Sequence, residues 1–206
     1  MANNDPIDFY FSIGSMYTFL TVMRIDRVED MTGVRVVWRP FSVRAIMIEM
    51  DNRPASKPRK LEYMWRDLHR RAGMYGFAFE GEAPYPLREF DLANRVAIVG
   101  AQEGWCADYV RATYRRWFVD KQECGMEPNL SESLQEIGED PARVIALARS
   151  EAVAREYDAA TEQARKLGIF GAPSFAVRGE VFWGDDRLED AVTWQQRGTL
   201  GAPRAP

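Results

Sequence analysis

The sequence predicts an α/β fold in which a βαβ unit and a ββα unit are separated by a long helical segment. Three observations indicate this order. Near the N-terminus two short apolar runs rich in β-forming residues flank a helical pattern. The middle of the chain carries apolar residues at helical spacing, and strand-like runs return only near the C-terminus. Strand, helix and strand, then helices, then a hairpin and a helix is the thioredoxin plan with a helical insertion.

The N-terminal part is predicted to be one βαβ unit. Its first strand is the apolar run Ile7–Phe11, and a helix then begins at Ser15 and ends before Gly33, a residue suited to a C-terminal cap. The run VRVVW at 34–38, closed by Pro40, is the second strand. Two strands joined by one helix over so short a segment are expected to be parallel, with a right-handed crossover.

The middle of the chain is predicted to be almost entirely helical. Three segments show apolar residues at helical spacing, and they cover residues 61–72, 90–101 and 105–118. Asp140 before Pro141 caps a short helix, and Ser150 caps the next one, which ends at Gly168. We therefore assign residues 43–167 to a helical insertion.

The C-terminal part completes the predicted domain. The runs PSFAV and EVFW flank Arg178-Gly179, a two-residue turn signal typical of an antiparallel hairpin. A last helix begins near Asp186. Residues 1–42 and 168–198 together form the thioredoxin-like domain, and the tail 199–206 is predicted to be disordered.

Composition restricts the function classes. A chain of 206 residues, 46% hydrophobic, is long enough for one core, and its net charge of -4 argues against nucleic acid as a partner. We expect no membrane span and no signal peptide, because the required apolar runs are missing. Two distant cysteines and a single histidine predict no metal site. A reducing, cytoplasmic compartment fits this cysteine usage.

The stretch FYFSIGSMYTFL, residues 9–20, changes from strand to helix at Ser15. Ligands bind at this edge of open sheets, and the first N–H groups of a helix stabilise anions there. The Ser15 hydroxyl can donate to a thiolate or an oxyanion and so lower the pKa of its conjugate acid. No neighbouring His or Lys is available to activate Ser15 as a nucleophile. The alternative is that Ser15 is only a helix cap.

Two C-terminal stretches are predicted to meet Ser15 at the same edge of the sheet. In GIFGAPSF, residues 168–175, a cis Ala172–Pro173 bond would expose the main-chain groups of Ala172 to an extended peptide, although an X–Pro bond is more often trans. In FWGDDRLED, residues 182–190, Asp185 and Asp186 either cap the last helix or hold the ammonium of a ligand. A ligand with an amino-acid head, a peptide backbone and a thiol fits all three stretches. Glutathione has these groups.

The segments DFYFSIGSMYTFL, WRPF, NRPASKPRKLEYMWRDL and GIFGAPSFAVRGEVFWGDDRL resemble the 2-hydroxychromene-2-carboxylate isomerases. That family is related to kappa-class glutathione transferases and to DsbA-type oxidoreductases, and the resemblance covers about residues 7–195. It implies a DsbA-like thioredoxin fold with a helical insertion, a homodimer and glutathione as cofactor.

The resemblance also implies roles for individual residues. Ser15 faces the glutathione sulfur, and Ala172, before cis Pro173, pairs with the cysteinyl part. The γ-glutamyl end is held by a segment that comprises Trp183, Gly184, Asp185 and Asp186. Asn52 and Lys60 approach the rest of the tripeptide. For the substrate, we expect Arg44, or the basic cluster near it, to hold a carboxylate. Tyr17 either lines an aromatic pocket or is part of the core.

The chain departs from the family pattern at the first helix. Met16 follows Ser15 where the family usually has proline, and Ser12 stands where aspartate is common. The sequence Gly14-Ser15-Met16-Tyr17 also lacks the CxxC motif of a dithiol oxidoreductase, which excludes dithiol redox chemistry at this edge.

The expected function is therefore a glutathione-dependent isomerase. It would interconvert 2-hydroxychromene-2-carboxylate and trans-o-hydroxybenzylidenepyruvate through an adduct of the glutathione thiolate. One alternative is a kappa-like glutathione transferase that acts on other electrophiles. Another is a domain that binds glutathione or a protein partner without catalysis.

Overall fold

A four-stranded mixed sheet is assembled from two distant parts of the chain. The computed structural model describes residues 5–201, and its strands are β1 (Ile7–Phe11), β2 (Val36–Pro40), β3 (Ser174–Val177) and β4 (Glu180–Trp183). Their spatial order is β2-β1-β3-β4. β1 is parallel to β2 and antiparallel to β3, and β3 and β4 form an antiparallel hairpin. The predicted α/β class, with a βαβ unit and a terminal hairpin, is confirmed.

Helices fill the long segment between the second and third strands and also follow the first and fourth. They are α1 (Met16–Val22), α2 (Ile25–Thr32), α3 (Val43–Glu49), α4 (Pro58–Met74), α5 (Phe90–Glu103), α6 (Cys106–Phe118), α7 (Asn129–Glu136), α8 (Pro141–Ala148), α9 (Glu151–Lys166) and α10 (Leu188–Arg197). A 3₁₀ turn at Asp185–Arg187 precedes α10. The predicted caps are confirmed: Asp140 accepts from Ala142 N at 2.9 Å, and Ser150 accepts from Val153 N at 3.3 Å.

The hairpin turn also agrees with its prediction. Arg178 has φ 52° and Gly179 has φ 82°, so both residues of the turn lie in the left-handed region. Paired left-handed residues give a two-residue turn whose twist matches that of the strands. The turn therefore brings Trp183, at the end of β4, back beside Ser174.

The sequence prediction was wrong at three places. The single helix predicted from Ser15 to Gly33 is two helices, because the backbone departs from helical geometry at Arg24 (φ -130°, ψ -7°). The second strand lies two residues later than predicted, at Val36–Pro40. Helices α3 and α7 were not predicted. Of the tail, residues 199–201 form neither helix nor strand, and 202–206 lie outside the described residues.

One continuous core joins the sheet to the helical segment. Phe9 stacks on Phe175 with ring centroids 5.4 Å apart, which connects β1 to β3. Phe19 of α1 stacks on Phe118 of α6 at 4.1 Å, which connects the first helix to the helical segment. Buried aromatic pairs of this kind stabilise a core beyond the area they bury. The packing fixes α1, and the turn before it, against the helices.

Candidate active site

The structure places all the sequence-predicted site residues around one cavity of about 600 Å³. The cavity lies where the β1–α1 turn meets α3, α4 and the segments before β3 and after β4. Its lining includes Ser15, Tyr17, Arg44, Asn52, Lys60, Ala172, Pro173, Trp183, Gly184, Asp185 and Asp186. The binding role of each residue stays a prediction, but their proximity is now a property of the fold.

Ser15 is both a helix cap and a hydrogen-bond donor toward the C-terminal half of the chain. Its Oγ accepts from Thr18 N at 3.4 Å, and its hydroxyl donates to the Ala172 carbonyl at 2.7 Å. Its own N–H donates to Ser12 O at 3.0 Å and closes the turn. The capping hydrogen bond from Thr18 N is long, whereas the hydrogen bond to Ala172 O is short. The stronger contact of the hydroxyl is therefore the one made to Ala172.

The turn that carries Ser15 is held by Asn94, a fully buried residue of α5. Asn94 Oδ1 accepts from Ile13 N at 2.7 Å, and Nδ2 donates to Ile13 O at 2.9 Å. The amide thus pairs with both main-chain groups of one residue, as a neighbouring strand would. Nδ2 also donates to Phe90 O at 2.8 Å, so the polar groups of this buried amide are satisfied.

Two further contacts fix the same turn. The hydroxyl of Tyr114, a buried residue of α6, lies 3.0 Å from both Ser12 O and Ser15 O and can donate to either. Gly14 has φ 110°, and a Cβ there would lie 2.7 Å from the ring of Phe90. The turn is therefore packed tightly against α5, and a side chain at position 14 would push Ser15 away from Ala172.

Opposite Ser15, Ala172 presents main-chain groups to the cavity. The Ala172–Pro173 bond is cis, so the more common trans bond is not the one adopted. Ala172 is 6% exposed, and among residues 5–201 its N–H has no hydrogen-bond partner. Its carbonyl accepts the Ser15 hydroxyl. A main-chain donor and acceptor side by side can bind an extended peptide.

Aromatic side chains form the wall beside Ala172. Trp183 is 53% exposed and contacts Phe170, with ring centroids 4.7 Å apart. A Cβ at Gly171 would lie 2.3 Å from Trp183 Nε1, so only glycine lets the indole approach the backbone this closely. The position of this wall therefore depends on the close approach of Trp183 to Gly171.

Asp185 is held inside the protein by four side chains. Its Oδ1 accepts from Thr21 Oγ1 and Arg24 Nε, each at 3.1 Å. Its Oδ2 accepts from Tyr75 OH at 2.8 Å and Arg71 Nη2 at 3.3 Å. Burial and the bond to Asp185 raise the pKa of Tyr75 to about 12. The carboxylate therefore joins α1, the junction between α1 and α2, and α4 to the segment after β4, and its lone pairs are occupied.

Asp186 is the more open of the two neighbouring carboxylates. Its side chain is 47% exposed, with Arg187 Nη2 at 3.4 Å from Oδ2. Gly184, with φ 119°, has no side chain to obstruct it, since a Cβ there would lie 2.6 Å from Asp186 Oδ1. Of the predicted acidic pair, Asp186 is the one with capacity for a ligand.

Arg44 provides a cation in the lining of the cavity. Its Nη2 donates to Leu87 O at 2.7 Å, and its guanidinium lies over the Phe90 ring at 3.9 Å. Burial lowers the pKa of Arg44, and within residues 5–201 no ion pair includes it. A partly desolvated guanidinium without a carboxylate partner is suited to bind an anion.

The other predicted polar residues are paired with one another or with neighbours. Lys60 Nζ donates to Asn52 Oδ1 at 2.7 Å, and burial followed by the nearby Lys57 lowers the pKa of Lys60. Tyr17 OH donates to Asp67 at 2.9 Å, and burial followed by this bond raises the pKa of Tyr17. Tyr17 therefore stays protonated and leaves its oxygen lone pairs for a ligand.

Neither cysteine contributes to the cavity. Cys106 and Cys124 are free and buried, and burial raises the pKa of the Cys124 thiol to about 12. Among residues 5–201, no three His, Cys, Asp or Glu side chains are grouped to hold a metal ion. No helix in that range is long and apolar enough to cross a membrane.

Sequence reasoning missed the residues that support the site. Tyr114, Arg24 and Tyr75 bind predicted site residues without having been predicted themselves, and Asn94 binds the turn that carries Ser15. Asn94 carried a signal, because it is the polar residue within the apolar stripe of α5. The others had none, since their partners lie 99 to 161 residues away in the chain.

Comparison with a family model finds one match over nearly the whole chain. The DSBA-like thioredoxin domain matches residues 6–193. This range includes both parts of the sheet and the helical segment between them.

Individual relatives cover similar lengths. The chain is 28% identical over 191 residues to 2-hydroxychromene-2-carboxylate isomerase of Sphingobium xenophagum, which spans 89% of this chain and 94% of that one. It is 27% identical to the enzyme of the same name in Pseudomonas putida, over 88% and 90%. Glutathione S-transferase kappa 1 of Caenorhabditis elegans is 26% identical, over 88% and 87%.

Solved structures show the same fold. A 2-hydroxychromene-2-carboxylate isomerase superposes with a TM-score of 0.83 at 22% identity, over 94% of this chain and 95% of the other. The cytosolic disulfide reductase DsbM of Pseudomonas aeruginosa, solved with GSH, has a TM-score of 0.62 at 15% identity, over 93% and 96%.

Proposed function

The chain belongs to the DSBA-like thioredoxin domain family, and on that premise we propose that it is a glutathione-dependent isomerase of the 2-hydroxychromene-2-carboxylate type. The observation that carries the proposal is the position of Ser15. Its hydroxyl bonds to Ala172 in the lining of a cavity that contains no cysteine, at the edge where a dithiol oxidoreductase would carry its thiolate. A thiol at this place has to come from a ligand.

The residues around the cavity fit glutathione. The free N–H and the carbonyl of Ala172 suit the backbone of the cysteinyl part. Asp186 is open to the ammonium of the γ-glutamyl head, whereas Asp185 acts through the protein by fixing the segment that carries Asp186. The Lys60–Asn52 pair is the polar group available to the rest of the tripeptide.

The chain's own residues then prepare the reaction. When bound, glutathione supplies a thiolate that adds reversibly to the conjugated substrate, so that a carbon–carbon bond can rotate before the thiol is released. Ser15 donates its hydroxyl proton toward the sulfur and lowers the pKa of the thiol. Arg44 binds the substrate carboxylate through charge-assisted hydrogen bonds. Tyr17 and Trp183 supply aromatic surface to the lining of the cavity.

The names of the isomerase relatives favour this reaction, and the kappa-class relative favours a second one. A glutathione transferase would use the same Ser15 and Ala172 with another electrophile. Homodimerisation and a cytoplasmic location belong to the proposal too: the family resemblance suggests the first, and a reducing compartment suits a thiol cofactor.

Calorimetric titration with glutathione is the first test, followed by turnover. We expect binding, and faster glutathione-dependent conversion of 2-hydroxychromene-2-carboxylate than conjugation of chlorodinitrobenzene. The opposite order of rates would favour the transferase. Absence of binding would leave only a protein-partner role, and turnover without added glutathione would contradict the proposed cofactor.

A further inference from the structure

The hydroxyl proton of Ser15 is already in use in the structure. A serine hydroxyl has one proton to donate, and Ser15 donates it to the Ala172 carbonyl at 2.7 Å. The lone pairs of the same oxygen accept from Thr18 N at 3.4 Å. As long as the hydroxyl donates to Ala172 O, its proton cannot stabilise an anion in the cavity. Ser15 therefore needs to be released before it can act on a thiolate.

Ala172 determines when that release is possible. Within residues 5–201, the Ser15 hydroxyl is the donor that satisfies the Ala172 carbonyl, and the residue is 6% exposed. Leaving a buried carbonyl without a donor is costly, whereas exchanging one donor for another is nearly neutral. The hydroxyl can turn away without penalty only when a second donor reaches Ala172 O.

We propose that Ser15 and Ala172 form a switch operated by the amide N–H of the ligand. The N–H of a cysteinyl peptide donates to Ala172 O, and the displaced Ser15 hydroxyl then donates its proton toward the ligand's sulfur. The change needs only rotation about the Cβ–Oγ bond, so the oxygen keeps its bond from Thr18 N. The inference rests on the proposed function and deepens it by naming the thiols that the site activates.

The switch discriminates between classes of thiol. A cysteinyl peptide carries an amide N–H on the carbon next to the one that bears sulfur, and a simple alkyl thiol does not. Without that N–H, Ser15 stays on Ala172 and the bound thiol keeps a pKa about 1 to 2 units higher. The protein would therefore bind or admit simple thiols without converting them to thiolates at neutral pH.

The test compares glutathione with its ester analogue, in which oxygen replaces the N–H between the γ-glutamyl and cysteinyl parts. Both ligands are bound to the wild type, to Ser15→Ala and to Ser174→Ala. Ser174 is the matched control: it is buried and donates to Gly171 O at 2.8 Å in the same segment, but it does not line the cavity. The pKa of each bound thiol is measured from the ultraviolet absorbance of the thiolate, and each Kd by calorimetry.

We expect a wild-type thiol pKa about 1 to 2 units lower for glutathione than for the ester, and no difference between the ligands in Ser15→Ala. The ratio of ester Kd to glutathione Kd should be about 5- to 100-fold larger in Ser15→Ala, because the ester leaves Ala172 O without a donor there. Ser174→Ala should behave as the wild type in both measurements.

Each other outcome has a definite consequence. If the two ligands differ equally in wild type and Ser15→Ala, the N–H and the hydroxyl act independently and the switch is wrong. Failure of the ester to bind the wild type would also overturn it, since Ser15 would have kept the carbonyl satisfied. If glutathione binds the wild type with an unchanged thiol pKa, the proposed function itself fails, and the switch with it.

Discussion

Asn94→Leu tests whether the helical segment sets the position of Ser15. The change preserves the approximate shape of the side chain but leaves Ile13 N–H and Ile13 C=O without their partners at 2.7 and 2.9 Å. Phe90 O keeps its helical hydrogen bond. Two buried orphan groups cost about 1–3 kcal/mol each, so the free energy of unfolding should fall by about 2–6 kcal/mol. This loss is a large part of the free energy of unfolding of a typical domain, which is about 5–15 kcal/mol.

The same change should move Ser15. A turn that no longer pairs with α5 can shift by a fraction of an ångström to an ångström, and misplacement of about 1 Å can reduce a rate about 100-fold. We expect kcat/KM per folded molecule to fall about 10- to 100-fold, with the Kd of glutathione little changed. Urea denaturation gives the stability, and kinetics are measured where the variant is fully folded.

Asn129→Leu is the matched control. Asn129 is also fully buried and makes four hydrogen bonds, to Thr113, Gln122 and Ser133, but it does not contact the turn. Its replacement should cost similar stability and leave kcat/KM per folded molecule within about twofold. An equal loss of activity in both variants would refute a positioning role for Asn94. Should Asn94→Leu fail to fold, Tyr114→Phe removes only the hydroxyl near Ser12 O and Ser15 O, at about 1 kcal/mol.

Three other predictions follow from the site. Ser15→Ala should lower turnover at least about 100-fold and lower the free energy of unfolding by about 0.5–2 kcal/mol through loss of the helix cap. Ser150→Ala, which removes a cap far from the cavity, should lower stability by a similar amount and leave turnover unchanged. Equal losses of activity in the two variants would mean that Ser15 acts only as a helix cap. Arg44→Met should raise KM about 10- to 100-fold for a carboxylate substrate and leave uncharged chlorodinitrobenzene unaffected; a uniform loss would assign Arg44 to folding instead. The pKa of Tyr75 is raised, so its stabilising contribution is complete below about pH 10 and is lost as the pH rises through about 12. Between these pH values, urea denaturation should show that the free energy of unfolding of the wild type falls by at most about 1–2 kcal/mol more than that of Tyr75→Phe. Parallel plots of unfolding free energy against pH for the two proteins would contradict this.

Local signals predicted most of the architecture. The hairpin followed from Arg178-Gly179, because a two-residue turn needs left-handed backbone and the chain supplies it there. The caps at Asp140 and Ser150 followed from the same kind of rule. The break between α1 and α2 did not follow, because the apolar spacing continues through it and neither Gly nor Pro marks it. The residue at the break, Arg24, has its partner Asp185 161 residues away in the chain.

The same distinction explains the two aspartates. Adjacent residues of the same type look equivalent in a sequence, and both were predicted to contact the ligand. In the structure Asp185 is surrounded by Thr21, Arg24, Arg71 and Tyr75, and Asp186 remains open. Only the packing around one carboxylate distinguishes the two side chains, and the partners of Asp185 on α1, between α1 and α2, and at the end of α4 lie at least 110 residues away in the chain.

For Ser15, the cap and the functional donor are compatible because they use different parts of one hydroxyl. The cap needs a lone pair to accept from Thr18 N, whereas the proposed action on a ligand needs the hydroxyl proton that Ser15 now donates to Ala172 O. A substitution that removes the Ser15 oxygen removes both the cap and the proposed donor. A different hydrogen-bond donor to Ala172 O alters only the proposed donor. In the proposed function, the role of Ser15 is therefore decided at Ala172, 157 residues away, and not by the residues that surround it in the sequence.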